Sequence, residues 1–185
     1  MKNRAGKRGT EARRHKESIL ASLYDECYGK IAHYIFVRIG NQMEAQDLAG
    51  DVFLRALDSL DSYEERGVSM QAWLFKIAHN LVVDHLRKAE KRKTVPIDSV
   101  EIPGGENPEQ VVETRLQFEK VSEALQQLTP AQREVISLRF FAELTSAEAG
   151  KILGKSSGAV REMQRSAIKA LRKLVYEEQF GCDCL

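Results

Sequence analysis

Thr145–Leu171 reads TSAEAGKILGKSSGAVREMQRSAIKAL. Thr145 with Glu148 three positions later has the form of a capping box, in which each residue satisfies an otherwise orphaned amide of the first helical turn. A short helix therefore opens there and runs to Leu153. Gly154 closes it, because glycine tolerates the left-handed backbone of a helix stop. Ser156 caps a second, longer helix, with Val160, Met163, Ala167, Leu171 and Leu174 on one side. A short capped helix, a glycine turn and a basic second helix make the layout of a helix-turn-helix. The small residues Ala149, Gly154, Gly158 and Ala159 are expected to let the two helices cross closely. In such a motif the start of the second helix reaches base edges while nearby cations hold phosphates. Ser157, Gly158, Arg161, Glu162, Arg165 and Lys169 are the candidates.

Upstream, Thr129, Pro130 and Gln132 supply a cap, a first-turn proline and a capping-box partner for a helix expected to run through Phe141. A preceding helix is read from about Pro108 to Leu128. Between Val95 and Glu109, Pro96, Pro103, Gly104, Gly105 and Pro108 interrupt regular structure in an acidic stretch that reads as a linker. Before it, Ile19, Leu23, Ile31, Ile35 and Ile39 recur at helical spacing up to Gly40. Asn41 with Glu44 starts a second helix, in which Leu48, Val52, Leu54, Leu57 and Leu60 form the apolar side and the acids the other. Ser69 caps a third, MQAWLFKIAHNLVVDHLRKAEKRK from Met70 to Lys93. No segment alternates as a strand would, so the expected class is all-α: two small helical domains joined by a flexible acidic linker, the C-terminal one a helix-turn-helix.

The chain has 185 residues and a net charge of +1, but the charges are sorted into blocks. Lys2, Arg4, Lys7, Arg8, Arg13, Arg14 and Lys16 make a basic arm. Asp47, Asp51, Asp58, Asp61, Glu64 and Glu65 make the second helix and its end acidic. Arg87, Lys88, Lys91, Arg92 and Lys93 are basic again, as is the stretch from Lys151 to Lys173. Separated basic faces and one acidic face point to a polyanionic partner and to a different, protein partner. No apolar run approaches the roughly 20 residues of a membrane span, and the N-terminus carries bases where a signal peptide has its apolar core. A cytoplasmic protein without membrane insertion is expected. Cys27, Cys182 and Cys184 are too few and too unevenly placed for a disulfide framework. The Cys182–Cys184 pair is compatible with a metal or redox sensor, but two cysteines on a short tail are more often merely exposed. His79 and His85 lie six apart, off any common helical face, so no metal site is assigned there. No cofactor is called for.

The third helix mixes aromatics, an amide and bases, a combination that can hold unstacked bases and their phosphates. Trp73, Lys76, Asn80, Arg87, Lys88, Lys91 and Arg92 are the candidates, although Trp73 and Phe75 taken singly suit a core better than a stacking platform.

Three blocks in order, EAQDLAGDVFLRAL (Glu44–Leu57), AWLFKIAHNLVVDHLRK (Ala72–Lys88) and LTPAQREVISLRFFAELTSAEAGKILGKSSGAVR (Leu128–Arg161), closely resemble bacterial RNA polymerase sigma factors of the extracytoplasmic-function (ECF) group. The resemblance spans about Ile19 to Leu174 and implies a region 2 domain at 17–94, a linker at 95–109 and a region 4 domain at 110–178. A basic arm at 1–16, expected to be disordered, and a tail at 179–185 fall outside it. The resemblance implies that Asp47, Leu48, Asp51, Val52 and Arg55 dock on core RNA polymerase. The third helix would melt and hold single-stranded −10 DNA, with Asn80 near the extruded base, and the helix-turn-helix would read the duplex −35 element. An anti-sigma partner is implied as well. Gly50 stands where the family has a larger residue, and Ser166 where it often has Arg. The rival reading is a free-standing helix-turn-helix regulator that binds operator DNA without polymerase, for which the acidic and third helices would have no use. An enzyme reading lacks a convergent nucleophile, base and orienter.

Overall fold

The structure, a computed structural model, describes residues 3–64, 67–92 and 124–180, with side chains for 13–64, 67–91 and 124–175. Its elements are α1 (Asn3–Ile39), α2 (Gln42–Asp58), a 3-10 turn (Leu60–Ser62), α3 (Met70–Arg92), α4 (Pro130–Ile136), a π-helical segment (Ser137–Phe141), α5 (Ser146–Leu153) and α6 (Ser157–Phe180). The chain divides into two compact units, Met1–Leu86 and Arg87–Leu185. The linker expected at 95–109 and Cys182 and Cys184 lie outside the described residues, as does most of the helix expected from Pro108, of which the turn 124–127 is helical.

In the first unit α1 packs along α2. Ile31, Tyr34 and Ile35 of α1 are fully buried, as are Ala49, Val52 and Ala56 of α2 and Leu74, Phe75 and Val82 of α3. Alanines on the buried stripe of α2 bring its backbone close to its neighbours, and Phe75 fills the interior edge-on against Tyr34, with centroids 5.6 Å apart. The caps form as read: the Asn41 side chain accepts from the Glu44 amide at 3.1 Å, and Ser69 from that of Ala72 at 3.2 Å. Gly40 adopts φ 77° at the end of α1.

Two expectations for this unit are corrected. The arm 1–16, expected to be disordered, is helical from Asn3, because α1 continues into it without a break. Arg13 and Lys16 tie that continuation to the end of the second helix, through Asp61 and through the carbonyls of Leu60 and Tyr63. The apolar side of α2 also divides differently. Val52 is 0% exposed, whereas Leu54 and Leu57 are 63% and 44% exposed and share the outer side with the acids. At about 100° per residue, positions 52 and 54 lie some 200° apart and cannot face one core.

The second unit packs α4 and α5 against α6. Both capping boxes close, with Thr129 accepting from the Gln132 amide and Thr145 from that of Glu148. The helix expected through Phe141 instead loosens to π geometry after Ile136, and the Ala142 amide reaches back to Ser137 O at 3.0 Å. The extra residue turns the chain toward Glu143, which takes φ 55°, and Arg139 secures the bend by donating to Leu144 O and, at 2.9 Å, to Gln164 Oε1 of α6. At the crossing of the motif the tight residue is Gly150, not Gly158 or Ala159. A Cβ on Gly150 would stand 2.5 Å from Lys155 O, while one on Gly158 would meet only Ser156 Oγ at 3.9 Å.

Two stability predictions follow from these packings, both read by urea or thermal unfolding. Gly150→Ala should cost about 1–3 kcal/mol because backbone must shift, whereas Gly29→Ala and Gly50→Ala, whose Cβ positions meet nothing within 4 Å, should each gain up to about 1 kcal/mol. Val52→Ala should cost about 1–3 kcal/mol as a core truncation, and Leu54→Ala should stay within about 0.5 kcal/mol. Equal effects at 52 and 54 would contradict the phase of α2.

Candidate functional site

Three helical faces remain exposed once the cores are built. On α2, Asp47, Asp51, Leu54 and Asp58 fall on one stripe at three- and four-residue spacing, all exposed, with Met43 70% exposed at its start. Leu48 is half-buried on the flank beside exposed Arg55. Of the candidates read from sequence, Val52 alone is withdrawn from this surface, supporting it from behind. Met43, Leu54 and Leu57 were missed, because exposed leucines in a helix carry no local mark that separates them from core leucines. The face is thus acidic and apolar together, the chemistry of a protein partner rather than of a nucleic acid.

Along α3, Trp73, Lys76, Asn80, Arg87 and Lys91 recur at spacings of three, four, seven and four, which places them on one stripe. Asn80, Arg87, Lys88 and Lys91 are exposed, and Trp73 and Lys76 are half-buried. Arg92 ends the helix, and its side chain lies outside those described. Phe75 belongs to the core, whereas Trp73 packs its ring against Tyr63 at 5.0 Å between centroids. His85 faces Glu44 of α2 at 3.1 Å, which fastens the middle of α3 to the first turn of α2.

On α6 the exposed stripe is Gly158, Arg161, Glu162, Arg165 and Lys169. Val160 and Ala167 on the opposite side are fully buried and anchor it. Ser157 sits half-buried at the first turn. Ser156 accepts from the Ala159 amide at 3.2 Å, so the helix start is capped and its open end is lined by the glycine at 158. Glu162 holds Arg165 at 2.7 Å, with both side chains more than two-thirds exposed, while Arg161 makes no such pair among the described residues. An exposed pair of this kind contributes little to stability. Its consequence is geometric: it holds the Arg165 guanidinium beside Glu162. Ser166 accepts from Gln132 Nε2 at 3.4 Å and thereby joins α6 to the start of α4.

Residues 23–92 match the family model Sigma-70 region 2, and residues 124–173 match Sigma-70, region 4. RNA polymerase sigma factor YlaC of Bacillus subtilis is 31% identical over 163 residues, covering 86% of this chain and 93% of that protein. ECF RNA polymerase sigma factor BldN of Streptomyces coelicolor is 33% identical over 160 residues, covering 84% of this chain; the chain spans 60% of the length of BldN. In fold the chain is similar to the sigma factor RpoE solved with the anti-sigma factor NepR from Bartonella quintana, at TM-score 0.68, 23% identity and coverage of 84% of this chain and 96% of that one. It is also similar to CnrH, solved with the cytosolic domain of CnrY, at TM-score 0.66, 22% identity and coverage of 90% and 94%. Among the described residues no helix is long and apolar enough to cross a membrane. With regions 2 and 4 in order and a relative of matching length more than 30% identical, the chain belongs to the RNA polymerase sigma factors, in their extracytoplasmic-function group, and serves promoter-directed initiation of transcription.

Proposed function

We propose that the three exposed faces divide the work of initiation between them. Asp47, Leu48, Asp51 and Arg55, together with Met43, Leu54 and Leu57, dock on core polymerase. Trp73, Lys76, Asn80, Arg87, Lys88, Lys91 and Arg92 hold the single-stranded −10 element, with the bases and the amide on the nucleic acid and Trp73 as a stacking edge. Ser157, Gly158, Arg161, Glu162, Arg165 and Lys169 read the duplex −35 element, Arg161 and Arg165 forking onto guanine and Lys169 onto phosphate. The observation that carries this reading is the opposite chemistry of the α2 and α6 stripes, one acidic and apolar, the other basic and open at a glycine-lined helix start.

The proposal places the working boundaries at 17–94 and 110–178, with 95–109 as the tether that raises the effective concentration of each unit for its own element. It makes the chain a non-catalytic cytoplasmic factor. Since RpoE was solved with the anti-sigma factor NepR and CnrH with the cytosolic domain of CnrY, an anti-sigma protein that covers the α2 face is inferred here too. Against a free-standing regulator, the outward leucines of α2 have a use only if another protein covers them.

The full chain tests this directly. Asp47→Lys with Asp51→Lys should abolish co-elution with core polymerase while circular dichroism keeps its helical signal. Arg161→Ala should leave co-elution intact and lower the preference for a matched over a scrambled −35 duplex by about 1–3 kcal/mol. Unimpaired co-elution of the double variant would remove α2 from the docking surface. Sequence-selective duplex binding by the chain alone, with no polymerase association, would favour the free regulator.

A further inference from the structure

The basic arm has no role in the three faces, yet its last turn is fastened to the −10 side of the first unit. Lys16 Nζ donates to Tyr63 O at 2.7 Å and to Leu60 O at 3.3 Å, and stands 5.9 Å from the centre of the Tyr63 ring. Those carbonyls belong to the 3-10 turn and its C-cap, and Leu60 O also accepts from the Tyr63 amide at 3.2 Å, so the ammonium sits at the carbonyl end of the turn. Tyr63 is 8% exposed; its hydroxyl donates to Val68 O at 3.1 Å, and its ring lies 5.0 Å from that of Trp73. One residue therefore closes the neck of the turn before α3 and backs the aromatic edge of the −10 face, and an ammonium from the arm holds its backbone. Arg13 adds a bond to Asp61 at 2.5 Å. Its partners are 45% and 66% exposed, however, and solvent discounts such a pair. Lys16 is the half-buried contact, with charge-assisted bonds to two carbonyls, and it decides the geometry.

We propose that Lys16 is a positioning residue for −10 recognition, acting through Tyr63 on Trp73, so that the basic arm sets how the −10 face holds a base. The proposal rests on the assignment of α3 to the −10 element. Removing the ammonium leaves both carbonyls without their cation, frees Tyr63 to shift, and takes from Trp73 the surface it packs against. The guanidinium of an arginine could bond the same two carbonyls.

Two readouts on the full chain separate the possibilities. The chain contains a single tryptophan, so its fluorescence reports on Trp73 alone. Lys16→Met should shift the emission to the red and raise its quenching by acrylamide, and Lys16→Arg should restore both. In the polymerase holoenzyme, Lys16→Met should lower the ratio of transcription from a matched over a base-substituted −10 element by about tenfold, the scale of one base position no longer held, with co-elution unchanged. A role confined to stability would reduce transcription from both templates alike and leave the ratio intact. Should circular dichroism show Lys16→Met unfolded, Lys16→Gln, which keeps an uncharged amide donor, is measured by the same two readouts. Unchanged emission in the folded variant, or an unchanged ratio beside altered emission, overturns the proposal. A wild-type holoenzyme that does not discriminate at the −10 element overturns the α3 assignment, and the proposal with it, even where the emission shifts.

Discussion

A helix that buries Ala45, Ala49, Val52, Phe53 and Ala56 cannot also bury Asp47, Asp51 and Leu54, since 3.6 residues per turn put the two sets on opposite sides. That phase constraint recurs on each helix that carries a face. On α3 the inward Leu74, Phe75, Ala78 and Val82 leave Lys76, Asn80 and Arg87 no place but outward. On α6 the inward Val160 and Ala167 do the same for Arg161 and Arg165. The functional surfaces are the complements of the cores, and each core stripe is narrow because small residues in it, especially alanine, let the helices approach.

Satisfaction of helix ends is the second condition, and here local chemistry suffices. Thr129, Thr145, Ser69, Asn41 and Ser156 each accept a backbone amide within their own first turn. Interactions of that reach need no knowledge of the rest of the chain. Two carbonyl ends are held in addition by side chains from elsewhere in the chain. Arg133 Nε donates to Leu125 O at 2.9 Å and thereby holds the carbonyl end of the turn 124–127. Lys16 does the equivalent for the 3-10 turn across 44 and 47 residues. Two arginines in the second unit, Arg133 and Arg139, are thus spent on backbone carbonyls, and the basic charge of that unit cannot be counted wholly toward DNA.

The helix-turn-helix shows how a motif and its packing can assign different residues. Gly154 was legible as the stop, and it takes φ 64°. Gly150 was not, because its reason is a carbonyl oxygen five residues away that leaves no room for a Cβ. Gly158 is free of any steric demand from within the chain, which turns it from a packing residue into part of an open surface. The π segment at Ser137–Phe141 was equally invisible to periodicity, since its spacing differs from the α pattern by one residue and is fixed by where Leu144 must enter the core.

What the residues alone determine is the helical class, the starts of α2 to α6, the order of the charged faces and the family, because each depends on interactions within a turn or on ordered blocks of text. Tertiary structure alone decided which apolar residues of α2 are core and which are surface, that Gly150 rather than Gly158 makes the crossing, and that the basic arm is helical and reaches the neck before α3. Those outcomes depend on contacts between residues dozens of positions apart, such as Lys16 with Tyr63, and on the direction in which a helix meets its neighbours. A pattern of hydrophobicity along one segment holds neither.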